Sequence, residues 1–167
     1  MIASAAFGER ESLVAPEDLN SSTPCDAWTV RDLVAHAVGV QRGFAGMLGA
    51  PIGDADDWPA LRNAIADHLA AMSDFNATVP VPGVGEMTAA GVIDSLTYDL
   101  LIHPGDLARA IGANPTLPAE LVAPCHQWLT QFPDEMMRAT KRYAAKQEAP
   151  AEADAQTRML AFAGRST

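Results

Sequence analysis

Lysine is nearly missing from this chain, with Lys141 and Lys146 the only two in 167 residues. No basic run occurs anywhere, and 21 acids against 11 bases leave a net charge of −10. Nucleic acid and anionic membrane surfaces need clustered Lys and Arg against their phosphates, so neither is expected as a partner. Cysteine is equally scarce. Cys25 and Cys125 stand far apart and in no CxxC pattern, which supports neither a disulfide framework nor a zinc knuckle. No apolar run approaches the roughly 18 residues of a membrane span. The start, Met1-Ile2-Ala3-Ser4, also lacks a basic stretch followed by a long apolar one. A soluble, cytoplasmic protein is expected. The Ala- and Arg-leaning composition hints at a GC-rich bacterial genome.

What is present is enough for a core. Apolar residues make up 49% of the chain and charged ones 19%, the balance of a globular protein. Its length predicts one domain over residues 1–167. Val30, Leu33, Val34, Ala37, Val38, Phe44, Ala45 and Leu48 recur at helical spacing and predict a helix from about Trp28 to Leu48. Thr29 is placed to cap it, with Asp32 completing a capping box. A short first helix is expected from Met1 to about Ala15, stopped by Pro16. Leu19 to Asp26 reads as a connector.

A third helix is predicted from about Pro59 to Ala77, capped by Asp56 or Asp57, with Leu61, Ile65, Leu69, Met72 and Phe75 inward. Val79 to Gly85 carries two prolines and two glycines and reads as a long crossover loop. The fourth helix is expected from about Thr88 to Ile111, ended by Gly112. Pro104 removes one of its hydrogen bonds, so a kink or break is expected directly after His103. Weaker helical signals cover Pro118 to Phe132, Asp134 to Ala145 and Ala153 to Ala163, the last closed by Gly164. No strand-like alternation persists and no repeat is evident. The fold class is therefore all-α: a helical bundle with C-terminal helical additions.

Asp99 and His103 carry the chemistry. Four positions on a helix span about 400° of rotation and about 6 Å of rise, so a carboxylate and an imidazole at that spacing point the same way. His36 borders the apolar stripe of another helix. An acid and two imidazoles from facing helices make a three-donor site with open positions for a divalent metal. Each residue alone has an ordinary reading: a core-edge histidine on a backbone carbonyl, or an i,i+4 acid–imidazole pair. Together they carry more weight, because burying a carboxylate beside a leucine stripe is costly and a cation offsets that cost. Asp106 reads either as an acceptor for an imidazole N–H or a bound water, or as a capping acid after Pro104. His68 and His126 read as structural histidines. Cys25 has no base near it in sequence and reads as structural too.

Three stretches extend the argument. Thr23-Pro24-Cys25-Asp26-Ala27-Trp28-Thr29-Val30-Arg31-Asp32-Leu33-Val34-Ala35-His36 resembles the metal-binding domain of the mycothiol-dependent maleylpyruvate isomerase family, within the DinB/YfiT-like superfamily. Asp99-Leu100-Leu101-Ile102-His103-Pro104-Gly105-Asp106-Leu107-Ala108 is similar to that family's acid-x-x-x-His followed by Trp-Asp-Leu-Ala. The ending from Asp154 to Arg165 is also family-like. The resemblance implies a four-helix bundle of up-down-down-up topology holding zinc or nickel through His36, Asp99 and His103. The sequence departs from the family in three ways. Asp99 stands where the isomerase has the longer Glu, Pro104-Gly105 replaces the usual small residue and Trp, and the isomerase's extra C-terminal domain is not evident.

Two functions follow as expectations. One is a metal-dependent, thiol-dependent transferase or isomerase, using a low-molecular-weight thiol and a small organic substrate in a pocket lined partly by Trp28 and Met47. The other is a non-catalytic metal or small-ligand binding module, with a homodimer through an exposed bundle face as one arrangement.

Overall fold

The computed structural model describes residues 1–25, 28–54, 57–139 and 143–165. Among these the chain forms seven α-helices and one small sheet. In order they are α1 (Ile2–Glu11), a 3-10 turn (Pro16–Asn20), α2 (Val30–Met47), α3 (Trp58–Ala71), β1 (Thr78–Val81), β2 (Gly85–Thr88), α4 (Ala89–Ala110), α5 (Ala119–Leu129), α6 (Asp134–Ala139) and α7 (Ala155–Phe162). None of the described helices is long and apolar enough to cross a membrane. The expected cap Asp56 and the expected helical residues 140–142 lie outside the described residues.

The start of α2 follows the expected chemistry. Thr29 Oγ1 accepts from the Asp32 N–H at 3.3 Å, and Asp32 accepts from the Thr29 N–H at 2.9 Å. Two of the backbone donors a helix start leaves free are thereby satisfied. Asp57 caps α3 through the Ala60 N–H at 2.7 Å. That helix stops at Ala71, earlier than its periodicity suggests, so Phe75 falls beyond it and is exposed rather than inward.

The packing centres on α4, which lies against α1, α2 and α5, while α3 packs on α2 and α1, and α7 packs on α5. Phe7, Leu33, Leu101, Ile102, Leu107 and Leu129 anchor the main core. Every residue from Asp99 to Ala108 is buried, so α4 is enclosed on all sides there. This enclosure corrects the expected break after His103. Pro104 sits inside an unbroken helix. The lost hydrogen bond and the clash of an internal proline cost about 3 kcal/mol, and burial around the whole circumference outweighs that.

A second correction concerns the segment read as a crossover loop and the absence of strands. Thr78–Val81 pairs antiparallel with Gly85–Thr88, Val79 facing Met87 and Val81 facing Gly85. Val79 and Val81 turn inward onto Phe44, Val92 and Leu96. Gly83 and Gly85 supply the positive φ that the tight turn needs.

At the other end of the chain, Gly164 has φ +82°, and a Cβ there would lie 2.5 Å from the Ala144 carbonyl oxygen. No other residue fits without moving the backbone. This turn sends the next side chain, Arg165, into the interior.

Candidate metal centre

His36 leaves α2 and His103 leaves α4, and both aim Nε2 at the same carboxylate oxygen. Asp99 Oδ2 is 3.8 Å from His36 Nε2 and 3.9 Å from His103 Nε2. One donor atom from each of the three lies within 4.8 Å of the others. The two imidazoles meet edge to face, with centroids 5.1 Å apart. Trp28 packs on the outer face of His36 at 4.6 Å. The ring is thereby fixed, and Trp28 serves the site as a brace rather than as the pocket wall expected of it.

The donor set fits a divalent cation. An ion with bonds of about 2.0–2.1 Å in tetrahedral geometry holds its donors about 3.3–3.4 Å apart. The two separations from Asp99 exceed that by about half an ångström, within reach of small side-chain rotations. Two neutral imidazoles and one carboxylate suit zinc or a similar borderline metal. His36 keeps a fifth of its side chain exposed and Asp99 a tenth, and Asp99 also lines a cavity.

Behind His103 lies a buried network. Asp106 is completely buried, and its Oδ2 is 3.3 Å from His103 Nδ1. A protonated Nδ1 donating there leaves the Nε2 lone pair free to face Asp99. Arg165 donates from Nε to both Asp106 oxygens at 3.2 and 3.1 Å, and its Nη2 is 3.1 Å from Oδ2. Cys25 Sγ donates to Asp106 Oδ2 at 3.2 Å and accepts from Arg165 at 3.3 Å. Burial alone would raise the Asp106 carboxyl, but the His103 hydrogen bond and the Arg165 charge hold it below the ordinary range. Asp106 is therefore an acceptor for His103 and not the cap of a new helical turn.

Cys25, His103 and Asp106 also stand close enough to share an ion. The Arg165 guanidinium already supplies the positive charge to that group, and Cys25 is no ready ligand. Burial, then the Asp106 charge, pushes its thiol up to about 12. Cys125 is likewise pushed up to about 12, by burial and by Asp99. An ordinary thiol titrates near about 8.5 and reacts as the thiolate. In native protein at about pH 8, both cysteines are therefore expected to resist Ellman's reagent, and both to react once the chain is denatured. A native thiol reacting at the rate of free cysteine would overturn this description of the cluster.

The remaining histidines are structural. His68 Nε2 contacts the Leu48 carbonyl at 2.9 Å, and His126 packs edge-on against Phe162 at 5.5 Å. Sequence reasoning assigned no role to Arg165 or to the hairpin. A lone arginine after an apolar helix gives no local sign of entering the core.

Helices converging two imidazoles and a carboxylate define a class of protein: a helical scaffold with a three-donor site able to hold a divalent cation. Residues 2–74 match the family model of the mycothiol maleylpyruvate isomerase N-terminal domain, the family that the sequence resembles. The match spans α1 to α3 and includes His36, whereas Asp99 and His103 lie beyond it. Two proteins of Mycobacterium tuberculosis, from strains CDC 1551 and H37Rv and each named only as uncharacterized, are 29% identical over 169 residues. The alignment covers 96% of this chain and 92% of each relative. No solved structure gives a significant match.

Proposed function

We propose that this chain is a single-domain, DinB-like four-helix protein in which α1 to α4 form the up-down-down-up bundle. His36, Asp99 and His103 hold a divalent metal, zinc or nickel, and Asp106 orients His103. The observation that carries the reading is the convergence of both Nε2 atoms on one carboxylate oxygen, at 3.8 and 3.9 Å. The family's mycothiol-related name supports a thiol co-substrate and hence a thiol-dependent transferase or isomerase working in the reducing cytoplasm.

When bound, such a cation lowers the pKa of a coordinated thiol or water and so prepares a nucleophile at neutral pH. The chain's own residues supply the rest. Asp106 and Arg165 fix the His103 tautomer, Trp28 fixes the His36 ring, and the apolar walls beside Asp99 exclude water. Elemental analysis of protein purified without an affinity tag is expected to find one zinc or nickel per chain. Cobalt-substituted protein is expected to change its visible spectrum when mycothiol or another small thiol is added. Absence of stoichiometric metal would overturn the metal reading. Metal uptake with a spectrum indifferent to thiols would reduce the protein to a non-catalytic binding module.

A further inference from the structure

A cavity of about 270 Å³ opens beside Asp99, walled by α2, the hairpin, α4 and the segment around α5 and α6. Its walls are built for apolar contact. Phe44 and Met47 come from α2, Met87 from β2, and Trp128 and Phe132 from the α5 side. Trp128 and Phe132 brace each other edge to face, with centroids 4.7 Å apart. Methionines adapt to irregular shapes and make favourable contacts with aromatic rings. An apolar protein cavity of about 150 Å³ accepts benzene, so the space here admits a substituted ring or a short branched chain.

The polar groups are few. Among the described lining residues, Asp99 is the one carboxylate and no lysine or arginine is present; Ser95 and Tyr143 supply hydroxyls. A second negative charge fares badly in such a place. One carboxylate of a diacid would meet the cation proposed at Asp99, but the other would lose hydration against apolar walls, find no lysine or arginine among the described lining residues, and face a chain of net charge −10. Maleylpyruvate, which gives the matched family its name, is a keto diacid carrying two negative charges at neutral pH.

We propose that this cavity binds a neutral, predominantly apolar organic substrate of about single-ring size, its one polar end toward Asp99, and that it rejects diacids. The orientation of that polar end rests on the metal reading above; the apolar selectivity rests on the walls alone. Val84, at the hairpin tip and 60% exposed, lies at the edge of the same cavity. The hairpin thereby contributes to specificity.

The test uses zinc-treated full chain and the neutral single-ring probe 4-methylanisole, followed by calorimetry, with maleate as the diacid competitor. Saturable binding of one probe per chain, undisturbed by maleate, is expected. Met87→Glu places a charge against the bound probe and is expected to weaken it about tenfold. Val84→Glu, at an exposed position that leaves the core intact, is expected to weaken it in the same direction by a smaller factor. Zinc affinity, measured separately by calorimetry, is expected to stay within about twofold in both variants. No saturable binding, displacement by maleate, or unchanged affinity in both variants would overturn the proposal. A chain that takes zinc but ignores the probe overturns the cavity reading alone. One that binds the probe selectively but no zinc removes the metal reading and upholds the apolar selectivity.

Discussion

His36→Ala is expected to abolish stoichiometric zinc binding while leaving the urea midpoint of the metal-free protein nearly unchanged. The two outcomes separate because of where the residue sits. His36 keeps a fifth of its side chain exposed and contributes no hydrogen bond to the Asp106 network. Removing it takes one of three donors and costs little packing beyond its ring contacts with Trp28 and His103. Changes to residues that merely orient a metal ligand weaken affinity by about 10–100-fold. Loss of a ligand itself is expected to exceed that range. Calorimetric titration with zinc measures the first outcome and denaturation of chelator-treated protein the second. An unchanged zinc affinity in this variant would show that the three donors are not the site.

Arg165→Ala is expected to be the most destabilising single change at the centre. It strips the cation from a carboxylate with no solvent exposure, leaving only the His103 and Cys25 contacts. Breaking a buried pair by removing one partner costs about 3–5 kcal/mol, which is read as a lowered urea midpoint. Arg165→Lys keeps the charge but loses the planar fork, and should fall in between. The double change Asp106→Leu with Arg165→Met removes both charges and should recover much of the loss. The sign with pH follows from the depressed Asp106 carboxyl. Its stabilisation is fully present above the unfolded pKa and fades as the pH falls through the folded one. The gap between wild type and Arg165→Ala should therefore be widest near neutrality and narrow in acid. A midpoint indifferent to Arg165→Ala would refute the clamp.

How far this architecture could be read from the chain depends on how local each signal is. The start of α2 was legible because Thr29 and Asp32 satisfy each other's backbone within four residues, and its stripe repeats through Leu33, Ala37 and Phe44. Asp99 and His103 were legible for the same reason, as one helical turn aligns them. The hairpin was not, since Val79 and Val81 alternate across only four residues and Pro80 argues against a strand. Packing onto Phe44 and Val92 settles it instead. Pro104 misled in the opposite direction. Its local penalty is real, but helix continuity was decided by neighbours on α1, α2 and α5 that no short window contains. Arg165 is the extreme case, meeting Asp106 across 59 residues and Cys25 across 140.

Those separations bear on the order in which the molecule matures. As the polypeptide is synthesised, Asp106 is available to enter the interior long before its guanidinium exists. Until Arg165 has emerged, the middle of α4 carries an acid with no countercharge, and burying it is unfavourable. Closure of so long a loop is also slow compared with the helical contacts that precede it. The ring of His103 is therefore expected to acquire its final orientation late, once the turn at Gly164 brings Arg165 to Asp106.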